Sequence, residues 1–168
     1  AAGTVKRLTL EMGGNDAAIV MPDADWKSII PQLFWGAIGN SGQWCVGIKR
    51  LYIHRSFHAP FVAAFVDYAR QQKLGNGLDA EVTVGPVQNK MQFDKVRTFL
   101  DDIKANGQNI VLGGEVDDSR PGYFIPVTVV DNPPEQSKIV QEEQFGPIVP
   151  IIVYDDVDDV IERANDSP

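Results

Sequence analysis

The stretch IVPIIVYDDVDDVIERA, residues 148–164, decides the fold class. From Ile148 to Tyr154 it is apolar without alternation, which is strand length and marks a strand covered on both faces. After Asp155 and Asp156, apolar residues recur at Val157, Val160, Ile161 and Ala164, the spacing of one helix face. Asp155, Asp156, Asp158 and Asp159 straddle the junction. Four aspartates within five residues suggest a cation site, but side-chain caps and negative charge at a helix N-terminus explain them more simply, and no metal site is expected. A buried strand running straight into an amphipathic helix is the building block of an α/β fold.

The pattern repeats upstream. Extended stretches are expected at Tyr123–Val130 and at Asn109–Leu112, the latter ended by Gly113-Gly114. A helix spans about Met91 to Lys104, and Gly75-Asn76-Gly77 breaks the chain before it. Ser56 is placed to cap a helix through Phe61, Phe65 and Tyr68, which follows a strand at Leu51-Tyr52-Ile53. Another helix runs through Ile29, Ile30, Leu33 and Phe34 and ends near Gly39. Asp23-Ala24-Asp25 offers its caps, and Pro31 lies in its first turns, where a missing N–H matters least. Ala17–Val20 is a short buried strand. Strands alternating with helices of this length predict one three-layer αβα domain with a mostly parallel sheet. No repeat or low-complexity linker divides residues 1–168.

Bulk properties narrow the function. The chain has 168 residues, 43% of them hydrophobic, and a net charge of −8. So acidic a surface repels phosphate backbones, which argues against a nucleic-acid partner. No apolar run nears the roughly 20 residues that cross a bilayer, so no membrane partner is expected. One cysteine excludes an internal disulfide and, with no leader-like start, fits a reducing, cytoplasmic setting. Asn165-Asp166-Ser167 matches a glycosylation acceptor but carries little weight without a secretion signal. Ala1 is no start methionine and Pro168 follows a helical pattern directly, so a segment of a longer chain is expected.

Three stretches carry chemistry. Asn40-Ser41-Gly42-Gln43-Trp44-Cys45 places the lone cysteine after a glycine-containing loop, where free backbone N–H groups can meet an oxyanion. A lone cysteine is more often a small buried hydrophobe, and an unperturbed thiol is only a few per cent thiolate near neutrality. Leu10-Glu11-Met12-Gly13-Gly14-Asn15 sets a glutamate between apolar neighbours. The expectation is partial burial and a carboxyl tuned toward general-base work; the plainer reading is an ion pair with Lys6 or Arg7. Glu142-Glu143-Gln144-Phe145-Gly146-Pro147 has paired carboxylates, by default a solvated pair, although one can turn inward to sugar hydroxyls. Gly75–Ala80 fits a loose dinucleotide fingerprint, but it follows no strand and precedes no helix, and is rejected. His54 and His58 are expected at the surface.

Together these stretches resemble the aldehyde dehydrogenase family. LEMGGND at Leu10–Asp16 is similar to its glutamate signature, Asn40–Cys45 to its cysteine signature, and EEQFGP at Glu142–Pro147 to a third landmark. Glu11 and Cys45 stand 34 residues apart, as in the family, and GPVQNKMQ (85–92) and GYFIPVTV (122–129) fit as well. Departures are mild: Ile38, Trp44 just before the cysteine, and Asn15 where lysine is commoner.

The resemblance implies Cys45 as nucleophile, Glu11 as the base for deacylation, and Asn40 as a structural residue of the cysteine loop. It implies cofactor contacts from Glu143 to the nicotinamide ribose, from Phe145 near the nicotinamide, and from Gly13. The implied reaction is oxidation of a small-molecule aldehyde to an acid with NAD or NADP, through a thiohemiacetal and a thioester. Residues 1–168 would then be a catalytic-domain segment without the Rossmann-like cofactor domain or the C-terminal oligomerisation segment. The parent would be a homodimer or homotetramer, and the segment alone can be inactive. Two other readings stay open at this point: a cysteine-dependent hydrolase, and a non-catalytic remnant serving as an interaction module.

Overall fold

The structure, a computed structural model, describes residues 2–167. β1 (Ala17–Val20) leads through a turn-rich stretch into α1 (Ile30–Ile38), and β2 (Arg50–His54) is followed by α2 (His58–Arg70). Next come α3 (Lys90–Ala105), β3 (Asn109–Leu112) and β4 (Thr128–Asp131). The short α4 (Lys138–Gln141), β5 (Ile148–Tyr154) and α5 (Val157–Asn165) complete the order. The strands form one sheet in the order β1-β2-β5-β4-β3. Three of its pairings are parallel, and β3 runs antiparallel to β4 at the edge.

The pleat divides the core in two. Leu51, Ile53, Val129, Val149 and Ile151 face α1 and α2, where Phe34, Phe61 and Phe65 are fully buried. Tyr52, Val130, Ile148, Ile152 and Tyr154 face the other way, against Phe99, Ile103, Ile139 and Val160 of α3, α4 and α5. Helices on both faces make the expected three-layer αβα domain, and burial on both sides explains why β5 reads as an unbroken apolar run. Pro150 is tolerated in this central strand because pairing with β2 begins only at Ile151.

Helix starts differ from expectation. Asp156 does cap α5, accepting from the Asp159 N–H. But α1 starts at Ile30 with no side-chain cap, its first turn eased by Pro31, and the aspartates at 23 and 25 lie in the turns before it. Ser56 does not cap α2; its hydroxyl pairs with His54 Nδ1 at 2.8 Å inside a 3-10 turn. The extended stretch expected from Tyr123 joins the sheet only at Thr128, where the ladder opens with Thr128 N–H donating to Pro147 O. Pro126, with no N–H to give, lies just before. α4 is too short to leave a periodicity in the sequence.

Candidate active site

The cysteine loop is built from unusual backbone. Where α1 ends, Asn40, Ser41 and Gly42 all take positive φ, at 50°, 58° and 73°. Two non-glycine residues in that region are costly, and they persist because tertiary contacts fix them. The Ser41 hydroxyl donates to Gly85 O at 2.8 Å, and Gln43 Oε1 accepts from the Gln88 N–H at 2.9 Å. The Asn40 side-chain amide donates to Gln43 O at 3.2 Å, and the Gln43 amide returns a bond to Asn40 O at 3.0 Å. Gly42 lies so close to Gly146 that a Cβ would collide with the Gly146 carbonyl. Trp44 then opens a turn closed by Gly47 N–H to Trp44 O, and Cys45 sits at its crest, partly exposed. The Cys45 N–H donates no hydrogen bond among the described residues, so it is free to meet an oxyanion.

The second wall is the 142–147 stretch. Phe145 also takes positive φ, 47°, which turns the chain so that Gly146 meets Gly42. Gln92, on the first turn of α3, holds that bend by donating to Gln144 O at 3.2 Å and Phe145 O at 2.9 Å. Gln144 is buried, and its amide donates to Lys49 O at 3.2 Å and Ile148 O at 2.6 Å. Glu143 is therefore the inward member of the carboxylate pair, with Glu142 exposed. Its Oε1 is buried and accepts no hydrogen bond. A Cβ on Gly13 would stand 3.4 Å from both Glu143 oxygens, so a side chain there would lie against that carboxylate. Gly13, Gly14, Asn15, Lys95, Gln141, Glu142 and Glu143 line a cleft of about 430 Å³ at this point.

Glu11 does not join this group. It makes no hydrogen bond or ion pair among the described residues, and its neighbours Leu10 and Met12 are 70% and 76% exposed. The burial expected from apolar neighbours is absent because no element among the described residues covers residues 5–12. The histidines also depart from expectation. Both are half-buried, His54 bridging Ser56 and the Asp155 carbonyl, and His58 lying 3.1 Å from Asp131 Oδ1. The rejected Gly75–Ala80 stretch is a loop, tied by Gly75 N–H to Val84 O.

The profile of the Aldehyde dehydrogenase family matches residues 1–168. The chain belongs to the aldehyde dehydrogenase family. It is 45% identical over 165 residues to a Pseudomonas protein named "Probable aldehyde dehydrogenase", covering 98% of this chain and 34% of that one. An NAD+ complex structure of aldehyde dehydrogenase from Bacillus cereus superposes with a TM-score of 0.90 at 37% identity, over 99% of this chain and 34% of its own. A cysteine-to-alanine mutant of aldehyde dehydrogenase C from Pseudomonas syringae, solved with NAD+ and octanal, gives 0.89 at 31% identity, over 99% and 35%. The chain thus spans about a third of the length of the relatives it matches.

Within this aldehyde dehydrogenase chain, sequence reasoning passed over Lys49, Gln92 and Lys95. Gln92 and Lys95 look like ordinary polar positions of an amphipathic helix, and only the fold brings them beside Glu143 and Phe145. Lys49 is fully buried, which a lysine four residues after a cysteine does not announce. Among the described residues, no cluster of three or more His, Cys, Asp or Glu gathers as a metal centre, and no helix is long and apolar enough to cross a membrane.

Proposed function

We propose that the protein containing this segment oxidises an aldehyde to a carboxylic acid, with Cys45 as nucleophile and NAD or NADP as oxidant. One observation carries the reading: the cysteine loop and the Glu143–Phe145 bend are locked together at Gly42 and Gly146, with an unused Cys45 N–H on one side and a buried Glu143 oxygen that accepts no hydrogen bond on the other. A buried carboxylate oxygen without a donor suits a ribose hydroxyl, so the residues fit a nicotinamide nucleotide. Glu143 would accept from that hydroxyl, Phe145 would pack beside the nicotinamide, and Gly13 would let the nucleotide approach closely. When bound, the nucleotide supplies the hydride acceptor.

The chain's own groups do the rest. The Cys45 thiolate adds to the aldehyde carbon, and the Cys45 N–H receives the resulting oxyanion. Collapse of that oxyanion would release hydride to the acceptor that a bound nucleotide supplies and leave a thioester on Cys45. Glu11 takes a proton from water, which attacks the thioester; acid leaves and Cys45 is regenerated. Glu11 lies two residues from Gly13, at most about 7 Å of extended chain, so residues 11–13 can carry it toward the site. Asn40 keeps the loop in shape through its exchange with Gln43. We take residues 1–168 as a catalytic-domain segment whose further cofactor and subunit contacts lie elsewhere in a homodimeric or homotetrameric parent.

Cys45→Ala and Glu11→Gln test the reading. In the intact protein, Cys45→Ala should abolish NADH production from aldehydes, and near-normal turnover would end the assignment. Glu11→Gln keeps size but not basicity, so a covalent acyl group should accumulate on Cys45 and appear as added mass. Loss of activity with no acyl adduct would move Glu11 to an earlier step. NADH formation also separates this reading from a cysteine hydrolase, which needs no nicotinamide.

A further inference from the structure

Lys49 is the most thoroughly buried ionisable group near the site, with 1% of its side chain exposed. Its ammonium stands 2.7 Å from Trp44 O and 3.2 Å from Gly42 O, both in the cysteine loop. It lies 3.7 Å from Glu143 Oε1 and 4.9 Å from the centre of the Phe145 ring. Each of these neighbours is an oxygen acceptor or a π face, a setting that favours the protonated amine. Burial pushes the ammonium below its ordinary value, against which the carboxylates of Glu143 and Asp16 and the Cys45 thiolate act. The same residue's main chain is pinned too: its N–H donates to Asp16 O, and its carbonyl accepts from Gln144.

We propose that Lys49 is a positioning residue that clasps the Cys45 loop to the Glu143 carboxylate, setting the nucleophile and the cofactor's ribose contact in one frame. This rests on the dehydrogenase reading above. A lysine serving stability alone needs only its backbone acceptors. Lys49 instead bridges two segments, and at 3.7 Å it holds the Glu143 charge without taking up Oε1 in a hydrogen bond. That oxygen keeps its lone pairs for a ligand hydroxyl while its direction stays fixed.

In the intact protein, Lys49→Met, Glu143→Gln and the double variant are titrated with NADH by fluorescence. Cys45 alkylation by iodoacetamide is followed near neutral pH by mass spectrometry. Lys49→Met should weaken NADH about tenfold and slow alkylation about threefold, because the hold on the loop carbonyls and on the Glu143 carboxylate is lost. Glu143→Gln should also weaken NADH and slow alkylation by a similar factor, since it opens the same clasp from its other end. The double variant should bind NADH no worse than Glu143→Gln alone, both changes acting through one carboxylate. A merely structural lysine would lower the melting temperature and leave NADH affinity and alkylation of the folded protein unchanged. That result, or losses that multiply in the double variant, overturns the proposal. If Lys49→Met does not fold, Glu143→Gln decides, because it opens the clasp from its other end: an unchanged alkylation rate sinks the clasp. Absence of NADH binding by the parent, or persistent oxidation by Cys45→Ala, would instead sink the dehydrogenase reading, and the alkylation comparison would still judge the bond between Lys49 and the loop.

Discussion

The loop that carries Cys45 and the segment that carries Glu11 are held by opposite means. Residues 39–49 are pinned on several sides by Gly85 and Gln88, by Gly146 and by the buried Lys49. Residues 5–13 are exposed, with Leu8, Leu10 and Met12 at 61%, 70% and 76%. Those three alternate, so an extended chain puts them on one bare apolar face. The candidate nucleophile therefore sits on backbone that this chain itself dictates, and the candidate base sits on backbone that it leaves uncovered. Half of the candidate chemistry is preorganised within the segment, and half depends on what lies against residues 5–13.

The largest blow to the pinned side should come from Gly42→Ala. The new methyl needs both a positive φ and space that the Gly146 carbonyl occupies. Backbone strain plus overpacking should cost about 2–4 kcal/mol and abolish turnover. Chemical denaturation and an aldehyde assay read both effects. A variant within about 0.5 kcal/mol of the parent would show that the two loops are not locked together.

Gln92→Ala should come next. Its amide holds the carbonyls of Gln144 and Phe145, and its loss should cost about 1–2 kcal/mol. The kinetic effect should fall on KM for the nucleotide more than on kcat, because the bend that aims Glu143 and Phe145 is what loosens. An unchanged KM with a lowered kcat would place Gln92 on the thiol side of the site.

A smaller effect belongs to the core behind the site. Burial, then the hydrogen bond to Glu135 at 2.6 Å, raise the Tyr52 phenol above its ordinary value, and burial raises Tyr154. An acid whose folded pKa is raised stabilises fully below its unfolded pKa of about 10 and loses that contribution as pH climbs beyond it. Stability should thus fall in alkali. Tyr52→Phe should cost about 1 kcal/mol near neutrality but flatten the alkaline decline, leaving the share of Tyr154. Parallel alkaline slopes for variant and parent, from denaturant midpoints, would remove Tyr52 from this account.

Much of the fold was readable because it rests on periodicity. The unbroken run of β5 and the amphipathic α5 appear where the pattern puts them, as does the edge strand Asn109–Leu112. Caps were less legible: Ser56 and Asp25 are good capping residues, but the chain enters α1 and α2 through turns that their side chains do not serve. In the candidate site, the motifs pointed to Cys45, Glu143 and Phe145, but not to what joins them. Lys49 and Gln92 act across 94 and 53 residues of sequence, and contacts between such distant residues leave no local pattern. The expected burial of Glu11 failed for the same reason in reverse: apolar neighbours predict a covered face, and the cover is not in residues 2–167.

The smallest effect should come from the exposed segment, and it sharpens the contrast most. Leu10 and Met12 contact little, so in residues 1–168 produced alone, Leu10→Ser and Met12→Ser should each shift stability by less than about 0.5 kcal/mol. They should also lower self-association, because they break up an apolar stripe. In a longer protein whose other residues cover that stripe, each side chain is worth about 1.5–3 kcal/mol of burial, and the same serines should be costly. Melting the two lengths side by side separates the cases. Equal, small effects in both would mean that residues 5–13 stay bare, and Glu11 would then have no wall against which to be held as a base. A large effect confined to the longer protein would place the missing half of the site's support outside this segment, and Glu11 would become a residue whose geometry is set on docking rather than on folding of residues 1–168.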